Sequence, residues 1–422
     1  MSTTHTPTPA LRFRSLRPAV AGDQSSQLDL LISVMAPPAP LTSNKRPPLN
    51  LALVIDRSGS MDGTSLSQAR KAARFLAREL TPDDRLAIVC FDHEADVLVS
   101  SRPVDDPELF VRAINTIQAR GLTDLQLGWV TGAMQVAEQL NPSAVNRVLL
   151  LSDGHTNAGI TEPELMAKQV AGLSSRGVST SAFGLGDGFD EDLMGAIASS
   201  GDGTLAFINN PDQLADLYAN ELKGLANTAA HRISLGIRGR NGAELRDGLN
   251  DLPQTAYGNW KLPNLRFGHD LHVAVRIELP AWKANTSIAS IRLAWEQPGS
   301  SERRSQLEML SLPVLAMAEL SDMAVDPLVA EQFALLQANR DRQGAIAALD
   351  ADDLESAEQS LTAIDHSLAS MPISEAIVAE RHALTQRRAM LRTDRNRSRK
   401  SLRRDMLRSS LNVWDENQTA EG

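Results

Sequence analysis

Four strongly apolar runs, at residues 49–55, 85–91, 145–151 and 178–185, alternate with segments of helical period, and this limits the fold more than any other property of the chain. A run that is apolar at every position is a strand buried on both faces. Such strands, joined by helical crossovers, make a parallel sheet with helices on either side. Helical patterns begin near Ser65, Pro107, Asp124, Pro163 and Glu191. Residues 95–101 follow the second run after only Asp92, His93 and Glu94, too few for a crossover, so they are predicted to be an antiparallel edge strand. The expected fold class is α/β, with a doubly wound, Rossmann-like central domain.

A period of two flanks this domain. Leu28, Leu30, Ile32 and Val34 alternate before it; Ile233, Leu235 and Ile237, then Leu271, Val273, Val275, Ile277 and Leu279, then Ile291, Leu293 and Trp295 alternate after it. These are half-buried strands, and the N-terminal ones are too few to make a stable sheet alone. Both flanks are therefore expected to build one β-sandwich into which the α/β domain is inserted. After Pro313, Leu354, Ala357, Leu361, Ile364 and Leu368 step by three and four, and the stripe resumes beyond Met371-Pro372, which predicts a C-terminal α-helical hairpin or small bundle. The boundaries read as a disordered terminus at 1–10, sandwich strands at 11–47, the α/β domain at 48–226, the rest of the sandwich at 227–313, helices at 314–408 and a flexible tail at 409–422.

The first apolar run ends in Asp56-Arg57-Ser58-Gly59-Ser60, which sets three hard oxygen side chains at alternate positions in a tight turn. Such donors suit Mg2+, which prefers octahedral oxygen coordination and takes few protein ligands. Two further loops could bring oxygens to the same place: Gly121-Leu122-Thr123-Asp124, which opens a helix, and Ser152-Asp153-Gly154-His155, which closes the third run. In open α/β sheets ligands bind beyond the carboxyl ends of strands, and Asp56 and Asp153 both lie at such ends.

On these residues the segment from about 48 to 226 resembles a von Willebrand factor A domain with an intact metal-ion-dependent adhesion site. The family's D-x-S-x-S falls on Asp56, Ser58 and Ser60, its threonine on Thr123 and its strand-end aspartate on Asp153. Residues 184–190 resemble the strand-to-helix loop of bacterial members. The resemblance implies direct contacts from Ser58, Ser60 and, with ligand bound, Thr123, with Asp56 and Asp153 often acting through water. It implies Mg2+ as cofactor, with Mn2+ or Ca2+ as alternatives, and a partner protein that offers a Glu or Asp carboxylate. His155 and Asp187 fall where they could line the partner-binding rim. The role this suggests is an intracellular scaffold or adaptor. A regulatory subunit of an AAA+ ATPase of the MoxR or chelatase kind, or a part of a bacterial kinase and phosphatase signalling system, are the alternatives.

Other signals are weaker. The net charge of -10 argues against general nucleic-acid binding, although residues 381–408 carry eleven Arg or Lys against Asp394 and Asp405, a run read as a solvated helix face or tail. The single Cys90 allows no internal disulfide, and no apolar stretch approaches a membrane span, so a cytoplasmic protein is expected. Gly184, Gly186 and Gly188 lack dinucleotide-binding spacing, and no phosphate-binding loop of the Walker type occurs. His93, Glu94 and Asp96 read as a solvated turn. No nucleophile and base can be paired from the motifs, and a phosphoryl-transfer site of the D-x-D type would place an acid at Ser58, so the chain is not expected to be an enzyme.

Overall fold

The computed structural model describes residues 8–38, 46–186, 188–208, 210–282, 287–298, 300, 302–393 and 395–410. The chain opens with β1 (Ala10–Ser15), β2 (Val20–Ala21) and β3 (Ser26–Met35). There follow β4 (Leu49–Asp56), α1 (Thr64–Glu79), β5 (Arg85–Phe91), β6 (Ala95–Pro103), α2 (Pro107–Asn115), α3 (Leu125–Ala137), β7 (Val145–Ser152), α4 (Pro163–Ser174), β8 (Ser179–Leu185), α5 (Glu191–Ser200), β9 (Leu205–Ile208) and α6 (Leu214–Ala226). Next come β10 (Thr228–Gly239), β11 (Glu244–Gly248), β12 (Trp260–Leu262), β13 (Leu265–Arg266), β14 (Leu271–Leu279), β15 (Ser287–Glu296), β16 (Arg303–Ser311) and β17 (Val314–Leu315). The chain continues through α7 (Met317–Asp322), α8 (Pro327–Asp350), α9 (Leu354–Ala369), α10 (Glu375–Leu391) and α11 (Arg395–Ser410). Two compact units result: Ala39–Arg232 with Glu296–Arg303, and the remainder.

The first unit is built on a sheet of order β6-β5-β4-β7-β8-β9. Every neighbouring pair is parallel except β5 and β6, whose short connection permits only a hairpin. Leu49, Leu51, Leu53 and Ile55 of β4 enter one core with α1, α2 and α6. Ala52 and Val54 enter the other, with α3, α4 and α5. Burial on both faces is why β4 reads as an unbroken apolar run. Small side chains let α3 lie close to the sheet: a methyl added at Gly132 would stand 2.2 Å from Val54 Cγ2. The chain leaves β4 toward β5 on one side, while β7 pairs on the other, so the ends of β4 and β7 frame a topological switch point.

In the second unit the two sequence flanks join directly. β3 and β14 pair antiparallel from Leu271↔Val34 to Leu279↔Ser26, within a sheet of order β1-β3-β14-β11. A second sheet has the order β12-β10-β15-β16, with β13 on β10. Val329, Phe333 and Leu336 of α8 pack on Leu31 and Ala274 of the first sheet. Of the two expected forms, hairpin or small bundle, the helical region takes the larger. α9 and α10 do flank Met371-Pro372, but their core also takes Ala338, Ala345 and Ile346 from α8 and Leu402 from α11.

Where it is described, the basic run at 381–408 lies largely on α10 and α11, and several of its cations are paired. Arg381 pairs with Asp365 at 2.7 Å, Arg387 with Asp405 at 2.9 Å and Arg392 with Glu358 at 2.7 Å. No helix among the described residues is long and apolar enough to cross a membrane.

Candidate metal centre

Three loops at the carboxyl end of the sheet supply the site. The first leaves β4, makes a 3-10 turn over Gly59–Met61 and enters α1 through Gly63, whose φ of +85° suits only glycine. Met61, fully buried, anchors this turn in the core. The second loop ends at Asp124, which caps α3 by accepting from the Leu127 amide at 2.9 Å. The third follows β7, and its Asn157 holds the second: Asn157 Oδ1 accepts from the Thr123 amide at 2.9 Å, and the Asn157 amide donates to the Thr123 carbonyl at 3.1 Å.

These loops bring Asp56, Ser58, Ser60, Thr123 and Asp153 together. Ser60 Oγ donates to Asp153 Oδ1 at 2.6 Å and lies 3.1 Å from Ser58 Oγ. A methyl added at Gly154, on the third loop, would sit 3.0 Å from Ser60 Oγ, 3.5 Å from Thr123 Oγ1 and 3.9 Å from Ser58 Oγ, so three hydroxyls from the first two loops face one point beside the third. Behind them lies Asp56, fully buried, with Oδ1 accepting from the Ser58 amide at 2.7 Å and Oδ2 from the Ser152 hydroxyl at 2.5 Å. The loop after β8 closes the far side, since a methyl at Gly188 would lie 2.7 Å from the Asp153 carbonyl oxygen.

The electrostatics suit a cation. Burial pushes the Asp56 carboxyl up to about 6, against the hydrogen bonds from Ser152 and Ser58. Burial also raises Asp153, against a hydrogen bond from Ser60. Two desolvated carboxylates beside a cluster of hydroxyls are stabilised by a hard divalent ion, and the donor set is the oxygen-only kind that Mg2+ prefers.

His155 is exposed, two residues beyond Asp153, and Leu122 is an exposed apolar side chain beside Thr123. Asp187 lies outside the described residues. His93, Glu94 and Asp96 differ from a plain solvated turn, because they join an ion-pair network centred on Asp92, whose side chain is fully buried. Asp92 Oδ2 accepts from Arg57 Nε at 2.6 Å and Arg120 Nε at 2.8 Å, and His93 Nδ1 stands 3.0 Å from Asp92 Oδ1. Burial would raise the Asp92 carboxyl, but hydrogen bonds from Arg120, the Glu94 amide and Arg57 outweigh it and hold the group below its ordinary range. Sequence reasoning missed Arg57, Asp92, Arg120 and Gly154. Only the position of Arg57, inside the D-x-S-x-S run, offered a signal.

Residues 50–220 match the family model of the von Willebrand factor type A domain, and the chain contains that domain. The uncharacterized protein sll0103 of Synechocystis is 33% identical over 216 residues, covering 50% of this chain and 50% of its own length. Human inter-alpha-trypsin inhibitor heavy chain H4 is 31% identical over 152 residues, covering 34% of this chain and 16% of that protein. The matches thus span half or less of the curated relatives' length. A von Willebrand factor type A structure from Catenulispora acidiphila superposes with a TM-score of 0.69 at 17% identity, covering 92% of this chain and 91% of that one. The ArnB paralog VWA2 from Sulfolobus acidocaldarius does so with a TM-score of 0.63 at 17% identity, covering 96% and 99%. At that identity the likeness establishes the fold, here over nearly the full chain.

Proposed function

We propose that the von Willebrand factor A domain of this chain is a Mg2+-dependent protein-binding module, with an intact metal-ion-dependent adhesion site that takes a Glu or Asp side chain of a partner protein. Ser58, Ser60 and Thr123 would hold the ion, and Asp56 and Asp153 would orient them. One observation carries the reading: three hydroxyls from two loops converge on one point beside a third loop, with two buried carboxylates next to them. Neutral inner ligands leave the charge of a bound divalent ion largely uncompensated, so an outside carboxylate completes the shell. Leu122, next to Thr123, and His155, two residues beyond Asp153, are exposed on the same loops.

In this reading the chain is a cytoplasmic scaffold or adaptor and assigns no catalytic step to its residues. Its lone, buried Cys90 accords with a reducing compartment. The test is binding of an immobilised array of Glu- and Asp-containing peptides with Mg2+, with excess EDTA, and with a Gly154→Ala variant. The added methyl stands among the three hydroxyls while the buried carboxylates and both cores keep their residues. Binding should vanish in EDTA and fall at least about tenfold in the variant. Equal binding under all three conditions would overturn the proposal.

A further inference from the structure

Arg57 sits between two of the site residues, yet its side chain points away from them and is only 9% exposed. Its Nε lies 2.6 Å from Asp92 Oδ2 and its terminal nitrogen 2.5 Å from Asp96 Oδ2. Arg120, which begins the loop carrying Thr123, reaches the same Asp92 oxygen at 2.8 Å. Backbone bonds follow the same path. The Arg120 amide donates to the Arg57 carbonyl at 2.7 Å, the Asp124 amide to the Asp92 carbonyl at 2.8 Å, and the Gly59 amide to the Gly121 carbonyl at 3.2 Å. Gly121 adopts φ of +73°, and a methyl there would lie 2.4 Å from His93 Nδ1, so the loops are in close contact at this point.

We infer that Asp92, with Arg57 and Arg120, is a positioning device that fixes the distance between the Ser58–Ser60 turn and Thr123 and thereby makes the site select Mg2+ over Ca2+. The inference rests on the metal reading above. None of the three need touch the ion. Mg2+ demands near-ideal octahedral geometry at about 2.0–2.1 Å, whereas Ca2+ accepts about 2.3–2.6 Å and variable coordination. A cradle whose walls are tied to one buried carboxylate cannot widen freely, and that rigidity penalises the larger ion. Loosening the tie leaves all five donors present but relaxes the spacing. Mg2+ then loses more affinity than Ca2+.

The test is calorimetric titration of the full chain with MgCl2 and with CaCl2, below the melting temperature of each variant. Asp92→Asn keeps the side-chain shape and removes the charge; Arg120→Gln, at a half-exposed position, gives a second variant if the first does not fold. Mg2+ affinity should fall about tenfold or more. Ca2+ affinity should change less than about threefold, so that the Mg2+/Ca2+ ratio drops. A purely structural role would lower the melting temperature and leave the ratio as in the wild type, and that result overturns the inference alone. Wild-type chain that binds neither ion overturns the metal reading and the inference with it.

Discussion

Asp56 concentrates the electrostatic cost of the site in one side chain. Its carboxyl is pushed up to about 6 by burial, from an ordinary value of 3.8. Below 3.8 the group is protonated whether the chain is folded or not. As pH rises the unfolded chain releases its proton first, so the folded state loses stability until the pH passes 6. The loss amounts to about 3 kcal/mol. Asp153, raised in the same direction, adds to it. In EDTA, urea unfolding should therefore show stability falling between pH 4 and pH 7, and Asp56→Asn should flatten the profile. An unchanged slope in that variant would show that the buried carboxylate is not its source. The five converging side chains were legible because each is a sequence-local event: an oxygen side chain at the end of an apolar run or at the start of a helix. Asp92 and Arg120 were not, because they meet only when β4, β5 and the loop before α3 come together.

At the level of elements, α6 is fastened to the sheet by polar contacts as well as apolar ones. Arg147 of β7 reaches Glu221 of α6 at 2.7 Å and also donates to Ser179 and Ser181 of β8. Glu221 accepts further from the Ser181 and Thr204 hydroxyls. Burial would raise the Glu221 carboxyl, but Arg147 and these donors hold it below its ordinary range. Removing one partner strands a buried charge, so Glu221→Ala should cost about 3–5 kcal/mol in urea unfolding. Arg147→Met combined with Glu221→Leu should recover most of that. A double variant as unstable as the single one would contradict this account. The strands and helices around the site were readable because burial on both faces makes β4, β5, β7 and β8 continuously apolar. β9, four residues long, was too short to show a pattern. α8 was not singled out within the helical region for another reason. Its first turns pack on the sheet through Val329 and Phe333 and its later ones on helices through Ala345 and Ile346, so no single stripe runs its length.

For the whole molecule, the sequence separates what the fold joins. Strand β3 pairs with β14 across the inserted α/β unit, and period-two alternation in both flanks was enough to suggest that they belong together. How the helices of the 314–408 region pack together was not legible, since Arg342, Asn339 and Gln332 are buried in α8 and interrupt its apolar pattern. The central claim concerns a bound cation, and a ligand that prefers the folded state must raise its apparent stability. The most direct measurement is the thermal melting of the full chain against MgCl2 concentration, for the wild type and for Asp56→Ala. At a hundred times Kd the wild type should gain about 2.7 kcal/mol, a rise of about 5–10 °C in Tm for a unit of this size, with no saturable rise in the variant. A Tm that is indifferent to Mg2+ in the wild type, or that rises equally in both proteins, would contradict the account.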